Sequence, residues 1–344
     1  MRKQVGVILA AFFYYSGLMG LARWRMQKKG QRLIILNYHR AIGGDLGRHL
    51  LYLQRHYRIL HLEEALEELY NTRIGPERKQ DQRTLLTLTF DDGYHDNFTH
   101  AFKLARVLQI PITIFLIPGY IESGKPFWWL EGNRLANLTQ VEKVKIEEYI
   151  YQLERPGEKE KLAQAIDGHL RNAQSVAERE KFLAHLYTAL MISSDTKVED
   201  EARPLTWAEV REMEESGWVS FGAHTMHHPI LSNLKDSEEV KREVGECRRV
   251  LEQHLHHSIR SFAYPVGRLE HIGEEAVQAV REAGYSWAVT TVNGVSTSQS
   301  DPYLLERLLG DVSRNWLVMA AEVSGIWKIF SPLWKNSIFG FGEK

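Results

Sequence analysis

Cysteine is almost missing from the chain: Cys247 is the only one in 344 residues. An intramolecular disulfide is therefore impossible, and one thiol cannot build a cysteine metal cluster. Net charge is nearly missing too, with 43 basic residues against 44 acidic ones for a net −1. That excludes the global basic field by which many proteins hold nucleic acid, so no nucleic-acid partner is expected. No internal repeat or low-complexity tract is visible. Hydrophobic residues at 44% and charged residues at 25% suit a globular chain with a sizeable core rather than a disordered or collagenous one. At about 150 residues per domain, the length allows one or two domains.

Acidic residues are lacking altogether from residues 1–32, which carry Arg2, Lys3, Arg23, Arg25, Lys28, Lys29 and Arg32. Within that head, Val5 to Ala22 is an uncharged, mostly apolar run of 18 residues. Such a run is near the short end of a bilayer-spanning helix and long for a signal-peptide core. A single-pass transmembrane anchor is therefore expected, with residues 1–32 as anchor and basic flank. A cleaved signal peptide ending near Gly20-Leu21-Ala22 and a buried or interfacial helix are the competing readings. The flanks sit awkwardly with a span, because five basic residues follow the run and two precede it. The positive-inside rule would then put the body in the cytoplasm.

After the head, apolar β-branched runs alternate with helical patterns. Strands are expected at Leu33–Tyr38, Leu85–Phe90, Ile112–Ile117, Val219–Ala223, Ile259–Tyr264 and Trp287–Thr291. Helical periodicity marks His61–Tyr70, Asn97–Leu108, Trp207–Ser216, Ser237–His256 and Gly273–Ala283. This alternation implies an α/β architecture of parallel strands with crossover helices. Residues 126–200 break the rhythm with Glu, Lys, Leu and Ala at helical spacing (Val144-Ile146-Ile150-Leu153, then Leu162-Ile166-Leu170) and read as a helical insertion. Residues 313–344 form a tail rich in aromatics, among them Trp316, Trp327, Phe330, Trp334, Phe339 and Phe341. The tail either packs on the body or, aided by Lys328 and Lys335, meets a membrane surface.

Two constellations carry chemistry. Thr89-Phe90-Asp91-Asp92-Gly93 stands where an apolar strand ends, the place where parallel α/β folds build sites. Two carboxylates held close raise one another's pKa unless a cation intervenes. A divalent ion on one would free the other to act as a base, whereas the plainer alternative is a loop with a helix N-cap. The second is His224-Thr225-Met226-His227-His228-Pro229, after the strand Val219–Ala223. His224 with His228, or His224 with His227, would bring two imidazoles to one ion. One Asp and two His with open positions is the ligand set of a catalytic rather than a structural metal, and a bound ion acidifies water for hydrolysis.

The order T-F-D-D-G, then H-T-x-x-H-P, then F-A-Y-P-x-G at Phe262–Gly267 resembles the polysaccharide deacetylases, the NodB-homology domains of carbohydrate esterase family 4. Asn37-Tyr38-His39-Arg40 resembles the first-strand signature of the subgroup acting on exported poly-N-acetylglucosamine. The likeness runs from about Leu33 to Leu309, outside the insertion. It implies a distorted (β/α)7 barrel over residues 33–312, interrupted by the insertion at 126–200. It also implies that Asp92, His224 and His228 hold the metal, most often Zn2+, leaving His227 as a neighbour. Asp91 would deprotonate the attacking water, and the backbone N–H of Val266 would help stabilise the oxyanion. Tyr264 and Pro265, in the same loop motif, would meet substrate.

Two departures from the family pattern stand out. Ala263 occupies the place of an Arg that orients the base in many members, and no late Leu-x-His supplies a general acid. His39, ending the first strand, is the replacement acid expected here. Arg307 either orients a carboxylate or forms a surface salt bridge. His254, His256 and His257 close a polar helix and read as structural. The function that the resemblance implies is removal of N-acetyl groups from N-acetylhexosamine units of a polysaccharide. Such a polymer places the barrel outside the cytoplasm, on a cell membrane, despite the basic flank. A barrel that binds glycan without turning it over, in an export or cell-wall assembly, is the rival reading.

Overall fold

The computed structural model describes residues 2–71, 81–193 and 199–330. Its centre is a ring of parallel strands. In chain order the strands are β1 (Leu33–Tyr38), β2 (Arg58–Ile59), β3 (Leu85–Phe90), β4 (Ile112–Leu116), β5 (Lys143–Ile146), β6 (Tyr149–Gln152), β7 (Val219–Ala223), β8 (Ser261–Ala263), β9 (Trp287–Asn293) and β10 (Leu305–Leu309). The order β1-β10-β9-β8-β7-β4-β3 closes on itself because β3 also pairs with β1, in register from Leu33↔Leu85 to Tyr38↔Phe90. Short β2 adds to the start of β3. The result is the distorted seven-stranded α/β barrel. Both β1 and β3 are buried along their whole length, as strands covered on two faces must be.

β1, β3 and β7 have the bounds read from sequence. β10 was not expected, because LERLL interrupts its apolar run with Glu306 and Arg307. The structure turns Arg307 into the protein, where it is 1% exposed, so the charge that hides the strand belongs to the site.

The insertion contains helices Trp128–Leu138, Glu158–Asn172 and Val176–Ala189 around a core of its own that includes Phe127, Leu135, Leu162, Ile166 and Leu186. Its first half corrects the helical reading of Val144 to Leu153. β5 and β6 form an antiparallel hairpin there, with Val144 and Ile146 buried and Lys143 and Lys145 exposed. That is a period of two, and the strand periodicity wins over the spacing of the longer window.

The head also differs from expectation. Helices Arg2–Tyr15 and Leu18–Lys28 meet at a 74° bend, and among the described residues no single helix is long and apolar enough to cross a membrane. The bend lies at Ser16-Gly17, where Gly17 has a φ of +80° that side-chain-bearing residues rarely adopt. A 14-residue helix is ~21 Å long, short of the ~30 Å hydrocarbon core. The expectation of a single N-terminal transmembrane helix is therefore not supported, and only the bent pair taken together has the length and composition of a span. Ala10, Phe13, Met19 and Ala22 instead join the main core. Phe13 packs on Trp327 and Phe330, and Tyr14 on Trp316. Trp334, Lys335, Phe339 and Phe341 lie outside the described residues.

Candidate active site

The loops that follow β1, β3, β7 and β8 leave the barrel at one end, where the strands' carboxyl ends gather the sequence motifs. Four non-glycine residues in those loops hold left-handed backbone: Asp92, Thr225, His228 and Val266, with φ of 75°, 63°, 54° and 59°. Thr225 and Val266 are β-branched, so the strain is real, and strain of this kind persists where surrounding structure over-determines it. At His228 the following Pro229 already disfavours right-handed helical geometry.

This geometry brings Asp92, His224 and His228 together. The Asp92 Oδ1 lies 3.4 Å from Nε2 of His224 and 3.5 Å from Nε2 of His228, and the three ligand atoms fall within 4.8 Å of one another. Ligands around a tetrahedral ion with bonds of about 2.1 Å sit roughly 3.4 Å apart. All three residues are buried, and Asp92 Oδ1 accepts no hydrogen bond among the described residues. An orphaned buried carboxylate oxygen facing two imidazole nitrogens fits a divalent cation. The Nδ1–H of His224 donates to the Ala263 carbonyl at 2.6 Å, which leaves Nε2 as the free ligand atom. Burial resists ionisation of Asp92, yet contact with His224 and the charges of His39 and His228 carry its pKa below the usual range. Burial, followed by the neighbouring His224, pushes His228 down to about 3, and a neutral imidazole is the form that ligates.

Asp91 is placed for a different task. Its carboxylate receives two parallel hydrogen bonds from Arg307, 2.8 Å each. The same guanidinium donates to the Thr290 carbonyl at 2.7 Å and to Thr89 Oγ1 at 3.3 Å. Arg307 is therefore the buried partner that orients Asp91, and the surface salt bridge is the wrong alternative. It arrives from β10, not from the position that Ala263 occupies. Burial opposes ionisation of Asp91, but the Arg307 charge outweighs it and the pKa falls to about 2. His39 Nε2 stands 4.0 Å from Asp91 Oδ2, with 45% of its side chain exposed. The loop that carries it is tied down by Asn97, whose Nδ2 donates to the His39 carbonyl at 3.0 Å.

Two supports of the histidine loop have no signal in the sequence motifs. Glu243, from the helix Ser237–Leu255, accepts from the His227 backbone N–H at 2.8 Å and from its Nδ1 at 2.7 Å. His227 is thus a neighbour held by Glu243. The other support comes from the insertion: the Trp128 indole N–H donates to the His228 carbonyl at 2.9 Å, Arg179 donates to the His227 carbonyl at 2.8 Å, and the Trp129 ring packs on the His228 ring at 4.4 Å.

Over the site opens a cavity of about 550 Å3 lined by His39, Asp92, His228, Val266 and Arg307, together with Asn37, Tyr94, Trp128, Trp129, Arg171 and Arg268. Asp91 and His224 are each 1% exposed and lie behind residues that line it. The Val266 N–H has no hydrogen-bond partner among the described residues, whereas its carbonyl accepts from Thr291 Oγ1 at 2.7 Å. Tyr264 and Pro265 are placed differently from the expected substrate contacts. Both are buried and neither lines the cavity, and the Tyr264 hydroxyl donates to the Tyr303 carbonyl at 3.1 Å. Of the other histidine cluster, His254 stacks on Trp207 and His257 pairs with Glu214, away from the cavity lining.

Comparison with known proteins agrees with the fold. The family model described as polysaccharide deacetylase matches residues 78–288. A curated protein of Bacillus subtilis, called putative polysaccharide deacetylase YxkH, is 28% identical over 180 residues. That match spans 52% of this chain and 61% of the relative's length. Among solved structures, IcaB from Ammonifex degensii superposes with a TM-score of 0.55 at 19% identity, covering 86% of this chain and 98% of that one. The Streptococcus pyogenes deacetylase PplD in complex with acetate gives 0.54 at 17%, covering 84% and 97%. The BpsB deacetylase domain from Bordetella bronchiseptica gives 0.52 at 15%, covering 83% and 97%. At these identities the likeness establishes a shared fold.

Proposed function

From the premise that the chain belongs to the polysaccharide deacetylase family, we propose that it is a metal-dependent hydrolase that removes N-acetyl groups from N-acetylhexosamine units of a polysaccharide. The observation that carries this reading is the convergence of Asp92, His224 and His228 from two distant chain segments, with Asp91 beside them as a separate acid group. Those three residues would hold a divalent ion, and Zn2+ suits one carboxylate and two imidazoles. Such an ion supplies Lewis acidity, which acidifies water and polarises an acetyl carbonyl.

The chain's own groups account for the proton movements. Asp91, held ionised and aligned by Arg307, accepts the proton of the attacking water. The Val266 N–H donates to the oxygen on which negative charge develops. His39, exposed at the cavity wall, gives a proton to the amide nitrogen as the carbon–nitrogen bond breaks. The products are acetate and a free amine. In this reading the polymer is met outside the cytoplasm, and protease digestion of the barrel on intact cells tests that placement.

The rival, a barrel that only binds glycan, is disfavoured by Arg307. That residue supplies the orienting cation whose apparent loss at Ala263 was, together with the missing late Leu-x-His, the support of the rival. Metal-loaded protein should release acetate from acetylated glucosamine oligomers or polymers. Binding of those compounds with no acetate release by the Zn2+-, Co2+- or Ni2+-loaded protein would leave the rival standing.

A further inference from the structure

A helix apolar on every side is normally enclosed, yet the head of this chain is not. Arg2–Tyr15 buries Ala10 and Phe13 on one side and leaves Ile8, Phe12 and Tyr15 67%, 59% and 78% exposed on another. Steps of four and three residues place those three on a single stripe. Beyond the bend, Leu21 and Trp24 are 58% and 55% exposed, one helical turn apart. Five of the fourteen large hydrophobic side chains exposed among the described residues thus fall within 17 consecutive positions. Single exposed apolar residues need no explanation, but a cluster of this density marks a contact surface.

The charges around the stripe identify its partner. Arg25, Lys28 and Lys29 are exposed next to Trp24, and residues 1–32 contain no carboxylate side chain. Aromatic and aliphatic residues flanked by lysine and arginine are what a helix presents to anionic headgroups while its apolar side enters the acyl boundary. A protein partner of ordinary surface composition would not call for this one-signed rim. The bend explains the awkward flanks as well. Basic residues at both ends of an apolar run conflict with a span, but both ends can address the same leaflet when the run turns inside it.

We propose that the bent helix pair 2–28 is a docking surface for an anionic lipid bilayer, resting in one leaflet without crossing. Phe13, Met19 and Ala22 fasten the pair to the main core, so docking fixes the barrel against the membrane. This proposal stands independently of the catalytic reading.

Flotation of the full chain with vesicles tests it. Binding should be strong to vesicles with 30% phosphatidylglycerol in phosphatidylcholine, and at least tenfold weaker to phosphatidylcholine alone or in 0.5 M salt. Phe12→Glu/Trp24→Glu should abolish flotation, and Arg25→Glu/Lys28→Glu/Lys29→Glu should weaken it at least tenfold. Both substitution sets fall on exposed positions, and unchanged circular dichroism and Zn2+ binding would show that the variants fold. Brominated acyl chains should quench fluorescence in the wild type and less so in Trp24→Phe. Equal flotation of wild type and variants overturns the proposal, as does no flotation of the wild type. A vesicle-free dimer that the same substitutions dissolve would assign the face to a second copy. Flotation only after deletion of residues 331–344 would show that the chain's own end covers it.

Discussion

Arg307 and Asp91 form a two-pronged ion pair across the barrel end, 216 positions apart in sequence and closed to solvent on both sides. Removing one partner of such a pair leaves an unpaired buried charge, at a cost of about 3–5 kcal/mol. Arg307→Met should therefore destabilise the fold by about that amount and lower acetate release steeply. Asp91→Asn combined with Arg307→Met should recover most of the stability without recovering turnover. Arg307→Lys keeps the charge but loses the fork, and its turnover should fall by roughly 10–100-fold. Denaturant midpoints of the four proteins decide the matter. A double variant no more stable than Arg307→Met would show that the pair is not coupled.

The two adjacent carboxylates should separate cleanly by metal content. Asp92→Asn should lose Zn2+ on dialysis, because its Oδ1 is the oxygen facing both imidazoles. Asp91→Asn should retain the ion and lose turnover. Chelation of the wild type should abolish acetate release and lower the melting temperature, with both restored by Zn2+. An ion present at about 100 times its dissociation constant contributes about 2.7 kcal/mol to the folded state. Equal metal loss in the two variants would refute the division of labour between Asp91 and Asp92.

The parts of this site that motifs reveal are those that lie on a strand end next to glycine, proline or another ligand. Asp91, Asp92, His224 and His228 could be named from sequence because each motif packs its chemistry into five or six consecutive residues. β1 and β3 were legible because burial on both faces makes them mostly apolar. Arg307 was only half legible. A buried charge inside a strand looks like a surface residue until its partner is known, and that partner lies 216 positions earlier in the chain. Arg179 and Trp128 carried no local signal at all, since they act on carbonyls brought close only by tertiary folding. The bend of the apolar head is not legible, because hydropathy counts residues and does not see the turn at Gly17.

A pH effect on stability should come from His56, outside the site. Burial, reinforced by Arg23, Arg55 and Arg83, depresses its pKa to about 4, whereas an unfolded histidine titrates near 6.5. Between those values the unfolded chain binds a proton that the folded chain refuses. The contribution is therefore complete above about pH 6.5 and is lost as pH falls towards 4. Partial exposure to solvent trims its size. His56→Phe retains an aromatic ring to pack on Tyr52, 4.6 Å away in the wild type, and should flatten the stability profile in that window. Parallel wild-type and variant profiles from urea denaturation would contradict it.

The insertion should be coupled to the metal. His224 has the ordinary support of a ligating histidine, an acceptor for its Nδ1–H, but the Nδ1 of His228 has no partner among the described residues. The His228 N–H donates to Thr225 Oγ1 at 2.9 Å within the loop, and the insertion adds Trp128 and Arg179 on the loop carbonyls and Trp129 on the ring. Outer partners of this kind change metal affinity by about 10–100-fold when lost. Arg179→Met should weaken Zn2+ binding by that factor in chelator competition, Arg179→Lys should recover part of it, and Glu160→Ala on the exposed side of the insertion should change nothing. Coupling is reciprocal, so stripping the metal should speed amide exchange in Trp128–Leu138 and Val176–Ala189. If exchange there is the same with and without Zn2+, the insertion is only a neighbour of the site and the support of His228 must come from the barrel itself.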